Sequence, residues 1–512
     1  MSSYRYKRSI LWVKRDIRLQ DNTALHEAVA QSRRLAVVFF LETGLMAASE
    51  TSMLHIEAWW QALGELQSEL RSRGGELYLP RGEVAPLLAN LHADSPINAI
   101  FSHEETGSDI TYQRDIGVGA WCEDNGVAWH EYPQNGVIRG LKDRSLRQPV
   151  IRQRLVETDP LPVPSNLSWW TPSDWPSTLP ELSALGLEDH DLSIQPKLLQ
   201  AVSESQAWHD LNSFLLTRGE AYSGGISSPN TADTAGSRLS VHLAWGTISL
   251  RNVFKQVLER SAELKDDRSD EAKQWRKSLR AFQSRLHWHD HFIQRLESEP
   301  EAEFRPLNPI FNAMQYDDDE KLLAAWVEGR TGMPMLDACM RCLHATGFIN
   351  FRMRAMLVTT ACFGLKLSWS TIMHPLARVF RDYEPGIHIS QVQMQASVVG
   401  LNAVRIYSPR KQIIDQDPDC IFIKKWVPEL RRFAPRSICD YENRKLGAYP
   451  KLVADIDTNI KQMRTQIYDI RRTDKDKLIT SAVLEKHGSR KSTKKRLAKK
   501  RVSKKRLSKK PD

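Results

Sequence analysis

Between Trp326 and Gln412 four ionisable side chains interrupt apolar segments of helical spacing: Arg352 and Arg354, then Asp382 and Glu384. A charge in apolar surroundings is costly unless it is paired or hydrogen-bonded to something polar. The stretch is therefore read as wrapping a large, partly polar ligand rather than closing a plain helical core. Cys339-Met-Arg-Cys342 lies in the same stretch with a spacing that metal sites use. It falls inside an apolar helical segment, so core packing is the preferred reading and no metal is expected. A cluster would need two more thiols from Cys362, Cys420 and Cys439,.

The elements that must position these residues fall into two kinds. Ser9-Ile-Leu-Trp-Val13 and Leu35-Ala-Val-Val-Phe-Phe-Leu41 are continuous apolar runs, as buried parallel strands require,. Leu77-Tyr-Leu79, Ala99-Ile-Phe101 and Val127-Ala-Trp129 add short strands. Between them lie helical spacings, one opened by the cap-type residues Asp21-Asn22-Thr23 and another stopped by Gly74-Gly75,. The βαβ rhythm predicts a doubly wound parallel sheet over 9–139. The turn after the first strand, Lys14-Arg15-Asp16-Ile-Arg18, has no glycine fingerprint. Its charges are read as a local ion-pair network.

From 140 to 200 the chain is rich in Pro, Ser and Asp, the composition of a surface connector,. From 201 to about 470 only helical spacing is found, so the second and larger domain is all-α. A chain of 512 residues is long enough for two or three cores,. No run of about 18 apolar residues is present, which excludes a membrane-spanning helix. Six cysteines do not make a disulfide framework, and a reducing cytoplasm is expected,.

The net charge is +10, yet Lys486 to Asp512 holds 14 Lys/Arg against one Asp. That segment carries +13 and the remainder −3. The five-residue unit beginning Lys494-Lys495-Arg496 recurs at Lys499-Lys500-Arg501 and again at Lys504. Such a tail, 486–512, is expected to stay disordered until it meets a polyanion. Nucleic acid is the expected partner, with nucleoid association following from it.

The order of motifs resembles the photolyase and cryptochrome family, as a divergent, bacterial-type deoxyribodipyrimidine photolyase-like branch. Trp12-Val-Lys-Arg15-Asp16-Ile-Arg18-Leu-Gln-Asp21-Asn22 is similar to that family's first-strand signature. Gly236-Ser237-Arg238-Leu239-Ser240 with His242-Leu-Ala-Trp-Gly246 is similar to its flavin-phosphate loop, and Trp326-Val-Glu-Gly-Arg-Thr-Gly to its helix entry. The resemblance implies FAD folded back inside the helical domain. It implies that Tyr222 and the 236–240 loop contact the phosphates; hydroxyls and free N–H groups at a helix start suit a diphosphate. It implies an Arg354–Asp382 pair beside the isoalloxazine, with Tyr383 and Glu384 next to it. Read as residues alone, the serines could simply cap a helix and the pair could be an interhelical salt bridge. The family often holds a light-harvesting antenna in the first domain. The Glu104–Asp109 turn does not reproduce the folate-type pattern, so the antenna's identity stays open.

The same alignment exposes departures. Of three electron-relaying tryptophans, the middle one matches Trp369, the distal one aligns with Tyr316 and the proximal one with the redox-inert Gln393. The position facing flavin N5 aligns with His388 or Ile389. In the pocket for a flipped pyrimidine dimer, Trp288 and Arg352 match. Arg285, Phe351, Ala355 and Gln395 replace the usual glutamate, asparagine, methionine and second tryptophan. The first reading is a monomeric, blue-light-driven lyase that splits cyclobutane dimers in single- or double-stranded DNA. The alternative is a cryptochrome-like photoreceptor that binds FAD and nucleic acid without repair.

Overall fold

The computed structural model describes residues 4–172, 174–185, 198–401 and 403–488. Five strands, β1 (Ser9–Trp12), β2 (Leu35–Val38), β3 (Leu77–Tyr78), β4 (Ala99–His103) and β5 (Ala128–Tyr132), form one parallel sheet in the order β3-β2-β1-β4-β5. Ser9 stands between Leu35 on one side and Ala99 on the other. β1, β2 and β4 are buried along their whole length, because helices cover both faces, and this explains their unbroken apolar runs,. The strand order reverses between β1 and β4. In such sheets that reversal opens a crevice at the carboxyl ends of the strands.

Local chemistry sets the helix starts. The side chains of Asn22, Ser249, Ser269 and Ser368 each accept the N–H three residues on, at Leu25, Asn252, Ala272 and Thr371,. Beyond the sheet all described elements are helical. They pack around a core that includes Trp326, Phe363, Leu343, Met353 and Trp369. Past the short helical turns at 144–157, the described part of the connector runs over the sheet, where Leu35 of β2 donates to Ser168 O and accepts from Trp170 N–H.

Two expectations need correction. The helical domain does not stop near 470: helix Asp474–His487 follows, opened by a Thr473/Asp476 capping box,. Lys486 and His487 therefore belong to this helix rather than to the tail. Lys486 pairs with Glu299, and the His487 side chain is only 4% exposed. The tail residues Lys494, Lys495, Arg496, Lys499, Lys500 and Arg501 lie outside the described residues.

The turn after β1 is also not a local network. Arg18 donates to Gly246 O at 2.8 Å and Arg15 to Tyr383 O at 2.9 Å, both in the helical domain. Asp16 meets His103 of β4 at 2.6 Å. The turn is the peg by which the sheet docks onto the helices. Gly246 is its socket: its φ is +68°, and a Cβ there would stand 2.0 Å from Arg15 O. Gly246→Ala combines a left-handed backbone, which costs a non-glycine residue about 1–3 kcal/mol, with a backbone collision. The urea midpoint is expected to fall clearly below wild type. An unchanged midpoint would remove the socket from this account.

Candidate functional site

Arg352, Arg354, Asp382 and Glu384 do not share one site. Arg354, on helix Phe351–Thr359, makes a two-pronged contact with Asp382 at 3.0 and 2.9 Å. Asp382 follows helix Trp369–Arg378 and has only 6% of its side chain exposed. Burial alone would raise the Asp382 carboxyl, but the Arg354 guanidinium, the Ser240 hydroxyl and Arg238 outweigh it and hold it below the usual range. Ser240 thus joins the pair from the 236–240 loop. Its neighbour Arg238 has φ +62° and lays its guanidinium 3.7 Å from the Phe348 ring centre. Arg354 lies over Phe380 at 4.2 Å. Loop, pair and aromatic floor are therefore one constellation, assembled from residues up to 144 positions apart in the chain.

Two polar atoms of this constellation lack hydrogen-bond partners, which tests whether a cofactor fits. Arg238 Nη1 is buried, and although the exposed Asp233 carboxylate lies at 2.9 Å, the angle closes no hydrogen bond. Asn350 gives both amide hydrogens to Ile226 O and Ser227 O, leaving its buried Oδ1 unused. Leu239, the cap residue of helix Ser240–Trp245, contributes no side-chain hydrogen bond. Ser237 Oγ accepts from Leu239 N. Among the described residues, one orphaned guanidinium donor beside a helix start suits an anionic group, and one orphaned amide oxygen suits a ring N–H or hydroxyl,. The residues fit a phosphate-bearing, ring-containing ligand such as FAD.

Tyr222 lies below the loop. Its ring packs edge-on against Phe214 and Phe282, and burial pushes its phenol up to about 12 despite a hydrogen bond with Arg285. Arg285, expected at the lesion pocket, lies on helix Asp270–Ser298 one turn before Trp288 and acts on the Tyr222 hydroxyl. Gly236 leaves its loop with extended backbone, and a Cβ there would meet Ala232 O at 2.5 Å.

Glu384 is elsewhere. It caps helix Pro385–Gln395 by accepting Ile387 N–H at 2.7 Å. Burial raises its carboxyl, opposed by His289 and Arg15. With these two, Gln134 and Asn135 it lines a cleft of ≈ 540 Å³, mouth included, between the domains. Tyr383 stacks on His55 at 5.3 Å and lines a second interdomain cleft of ≈ 800 Å³, mouth included, at the strand ends. That cleft is also walled by Lys14, Arg15, Glu42, Glu105 and Trp245. Arg114 bridges Glu42 at 2.8 Å and Glu105 at 2.6 Å across it, which puts the Glu104–Asp109 turn in its wall. His388 Nε2 lies 2.8 Å from Met373 O. A carbonyl only accepts, so Nε2 carries the hydrogen, and burial drives the imidazole down to about 4 and keeps it neutral,.

Trp288 lies on helix Asp270–Ser298, stacked on Phe292 at 5.5 Å and edge-on to His291 at 5.2 Å. Arg352 lies on helix Phe351–Thr359, and both helices pack on helix Pro385–Gln395, which ends in Gln395. Gln395 donates to Gln391 Oε1 at 3.2 Å. Trp369 and Tyr316 share the large core, and the buried Tyr316 hydroxyl has no hydrogen-bond partner among the described residues. Cys339 and Cys342 are buried free thiols on helix Pro334–Thr346, and Cys342 Sγ contacts Phe348 O.

Gln393 was read as a broken relay. The structure gives it a different task. Its Nε2 donates to Ala302 O at 2.6 Å and Arg305 O at 2.9 Å, and its Oε1 accepts Leu307 N–H at 2.7 Å. No sequence signal announces such a clamp, because all three partners lie 86–91 residues away.

Comparison with known proteins agrees with this geometry. A family model described as DNA photolyase matches residues 9–140, and one described as the FAD binding domain of DNA photolyase matches 282–469. The chain is 28% identical over 457 residues to a deoxyribodipyrimidine photo-lyase of Thermus thermophilus, covering 87% of this chain and 98% of that one. A Sulfolobus tokodaii photolyase, solved with two FAD molecules, superposes with a TM-score of 0.73 at 23% identity over 90% of this chain and all of its own. A Synechocystis cryptochrome superposes with a TM-score of 0.78 at 18% identity over 91% of this chain and all of its own. With both halves matched in order and an FAD-binding domain in the second, the chain belongs to the photolyase/cryptochrome family.

Proposed function

We propose that this protein is a light-driven lyase that opens cyclobutane pyrimidine dimers in DNA, working through FAD held in the helical domain. The observation that carries the reading is the buried Arg354–Asp382 pair, joined by Ser240 and Arg238 from the loop that starts the next helix. In this reading Arg238, Ser237 and Tyr222 face the diphosphate, while Arg354 and Asp382 border the isoalloxazine. A fixed guanidinium stabilises negative charge on the ring, and its carboxylate partner keeps it oriented. Bound there, FAD would supply light-driven one-electron chemistry. Neutral His388 contributes no charge close to the ring. Trp288 and Arg352 receive the flipped dimer, the tryptophan by stacking and the arginine by meeting the phosphate or carbonyl oxygens. The ≈ 800 Å³ cleft at the strand ends is the place for a second chromophore.

The test is illumination of the reduced, flavin-loaded protein with dimer-containing single- and double-stranded oligonucleotides. Loss of dimers that requires light is expected, and no loss would reject repair of that lesion. A second reading, a photoreceptor without repair, is favoured by one observation. The relay position nearest the flavin is occupied by Gln393, which cannot be oxidised and is committed to three hydrogen bonds.

The basic segment after His487 is assigned to the DNA backbone. Residues 489–512 carry 13 Lys/Arg. Each phosphate neutralised contributes a slope of roughly −0.9 to the dependence of log K on log salt for duplex DNA. Truncation after Gly488, which spares the docked helix, is expected to flatten that slope by several units and leave flavin content unchanged. An unaltered slope in a salt titration of binding anisotropy would refute the assignment.

A further inference from the structure

Where the interdomain connector meets helix Asp270–Ser298 and the last described helix, the structure gathers two guanidinium groups, Arg147 and Arg295, that make no ion pair with a carboxylate among the described residues. Arg147 opens helix Arg147–Arg152, and its Nη1 lies 3.0 Å from His291 Nδ1. Its Nε and Nη2 are buried without hydrogen-bond partners among the described residues. Arg295, one turn beyond His291 on helix Asp270–Ser298, is 6% exposed, with Nε and Nη1 equally unpartnered. The guanidinium of Arg147 can only donate, so His291 Nδ1 accepts and its proton sits on Nε2, which is buried and also unpartnered,. Five donor atoms thus stand without acceptors on three neighbouring side chains. His487 comes in from the last helix, whose final carbonyls, Leu484 O and Glu485 O, take hydrogen bonds from Arg144.

The nearby carboxylates are committed elsewhere. Asp290 Oδ2 accepts Gly136 N–H at 2.8 Å, and Oδ1 faces His289 at 3.1 Å. Glu299 pairs with Lys486 and with Arg305, and lies 3.9 Å from His487. Among the described residues no acidic group comes within 4.0 Å of Arg147 or Arg295. Burial and mutual repulsion show in the titration of these groups. Desolvation and then Arg147 bring Arg295 down to about 10, and desolvation with the surrounding arginines brings His291 down to about 3. Buried cations are ordinarily paired. Asp290 acts on Arg147 only at longer range and Arg295 rests over the Phe292 ring, so among the described residues neither guanidinium has a carboxylate at ion-pair distance.

We propose that Arg147, His291 and Arg295, with His487 beside them, form a binding pocket for a tetrahedral oxyanion of the phosphate class. Two guanidinium groups and an imidazole N–H offer more donors than a chloride or a single carboxylate can accept, whereas a phosphate presents several oxygens and up to two charges. The same chemistry has two sources, free phosphate or a phosphodiester of DNA. The second rests on the DNA reading above, because Trp288, assigned there to the flipped base, packs on His291.

Thermal unfolding of the full-length protein in sodium phosphate and in sodium chloride of equal ionic strength tests the pocket. A saturable rise in Tm of several degrees is expected in phosphate only, as mass action on a native-state site requires. Arg295→Met is expected to abolish that response, and Arg147→Gln to weaken it, with flavin content and circular dichroism unchanged. Absence of a phosphate-specific rise in the wild type overturns the proposal without needing any variant, and so does a rise that survives in Arg295→Met. The sources separate in an anisotropy titration with a single-stranded oligonucleotide. If the phosphodiester is the occupant, phosphate competes beyond its ionic strength and Arg295→Met binds the oligonucleotide at least tenfold more weakly. If free phosphate is, oligonucleotide affinity is the same in wild type and variant. Light-driven dimer loss is measured separately, so failure of this pocket and failure of the repair reading give different patterns.

Discussion

Arg354→Met is expected to yield a protein that is colourless on purification and unfolds well below the wild type. The substitution leaves the Asp382 carboxylate buried, with Ser240 and Arg238 as its remaining support. Breaking a buried pair by removing one partner costs about 3–5 kcal/mol. The Arg354 side chain is 23% exposed, so the lower end of that range is expected. The pH dependence carries a sharper signature. In the wild type the Asp382 carboxyl titrates below its ordinary value of 3.8. Its contribution to stability is therefore complete above that value and lost as pH falls through the depressed one. Without Arg354, burial dominates and the folded carboxyl titrates above the unfolded one. The contribution then reverses, being present in acid and lost as pH rises. Chemical denaturation from pH 3 to pH 8, compared for wild type and Arg354→Met, should show a stability difference in favour of wild type that grows as pH rises through the acid range. Parallel curves would mean that the pair is not the electrostatic centre of the site.

Gln393→Trp, the change that restores an aromatic group to the electron-relay position, is expected to damage the fold rather than repair the relay. It removes the acceptor for Leu307 N–H and the donor for Ala302 O and Arg305 O. Each buried backbone group left unpaired costs about 1–3 kcal/mol. Gln393 is 1% exposed, so a larger ring has no free space, and overpacking adds about 1–3 kcal/mol,. A loss of roughly 4 kcal/mol or more follows from these terms, or a fall in Tm of roughly ten degrees for a domain of this size. Calorimetry of the holo-protein measures it. Gln393→Glu is the control: it keeps the acceptor for Leu307 but loses both donated bonds, and should fall between the two. A tryptophan variant as stable as wild type would show that the 302–307 segment does not depend on this clamp. If the expected relay runs through Tyr316, that residue is a second weak point. Oxidising a phenol is easiest when its proton can leave, and this hydroxyl is buried with no acceptor among the described residues.

The sequence by itself determined what periodicity, capping and composition can encode. Unbroken apolar runs placed β1, β2 and β4 in a doubly covered sheet, because a strand buried on both faces cannot alternate,. Serine and asparagine caps placed the helix starts, since a cap acts within three residues of itself,. The cost of burying Arg354 and Asp382 marked the stretch as polar and ligand-like, but which charge pairs with which came only from the resemblance, since Arg352 and Glu384 offered the same signal,. Tertiary structure alone decided the rest. Arg15 finds Tyr383 O across 368 positions, Gln393 clamps a segment 86–91 residues before it, and Arg147, Arg295 and His487 meet from three distant elements. Nothing local marks these residues, since each looks like an ordinary polar side chain on a helix or turn. Their roles arise only when packing removes water from around them, and which groups then face one another depends on how whole helices are placed.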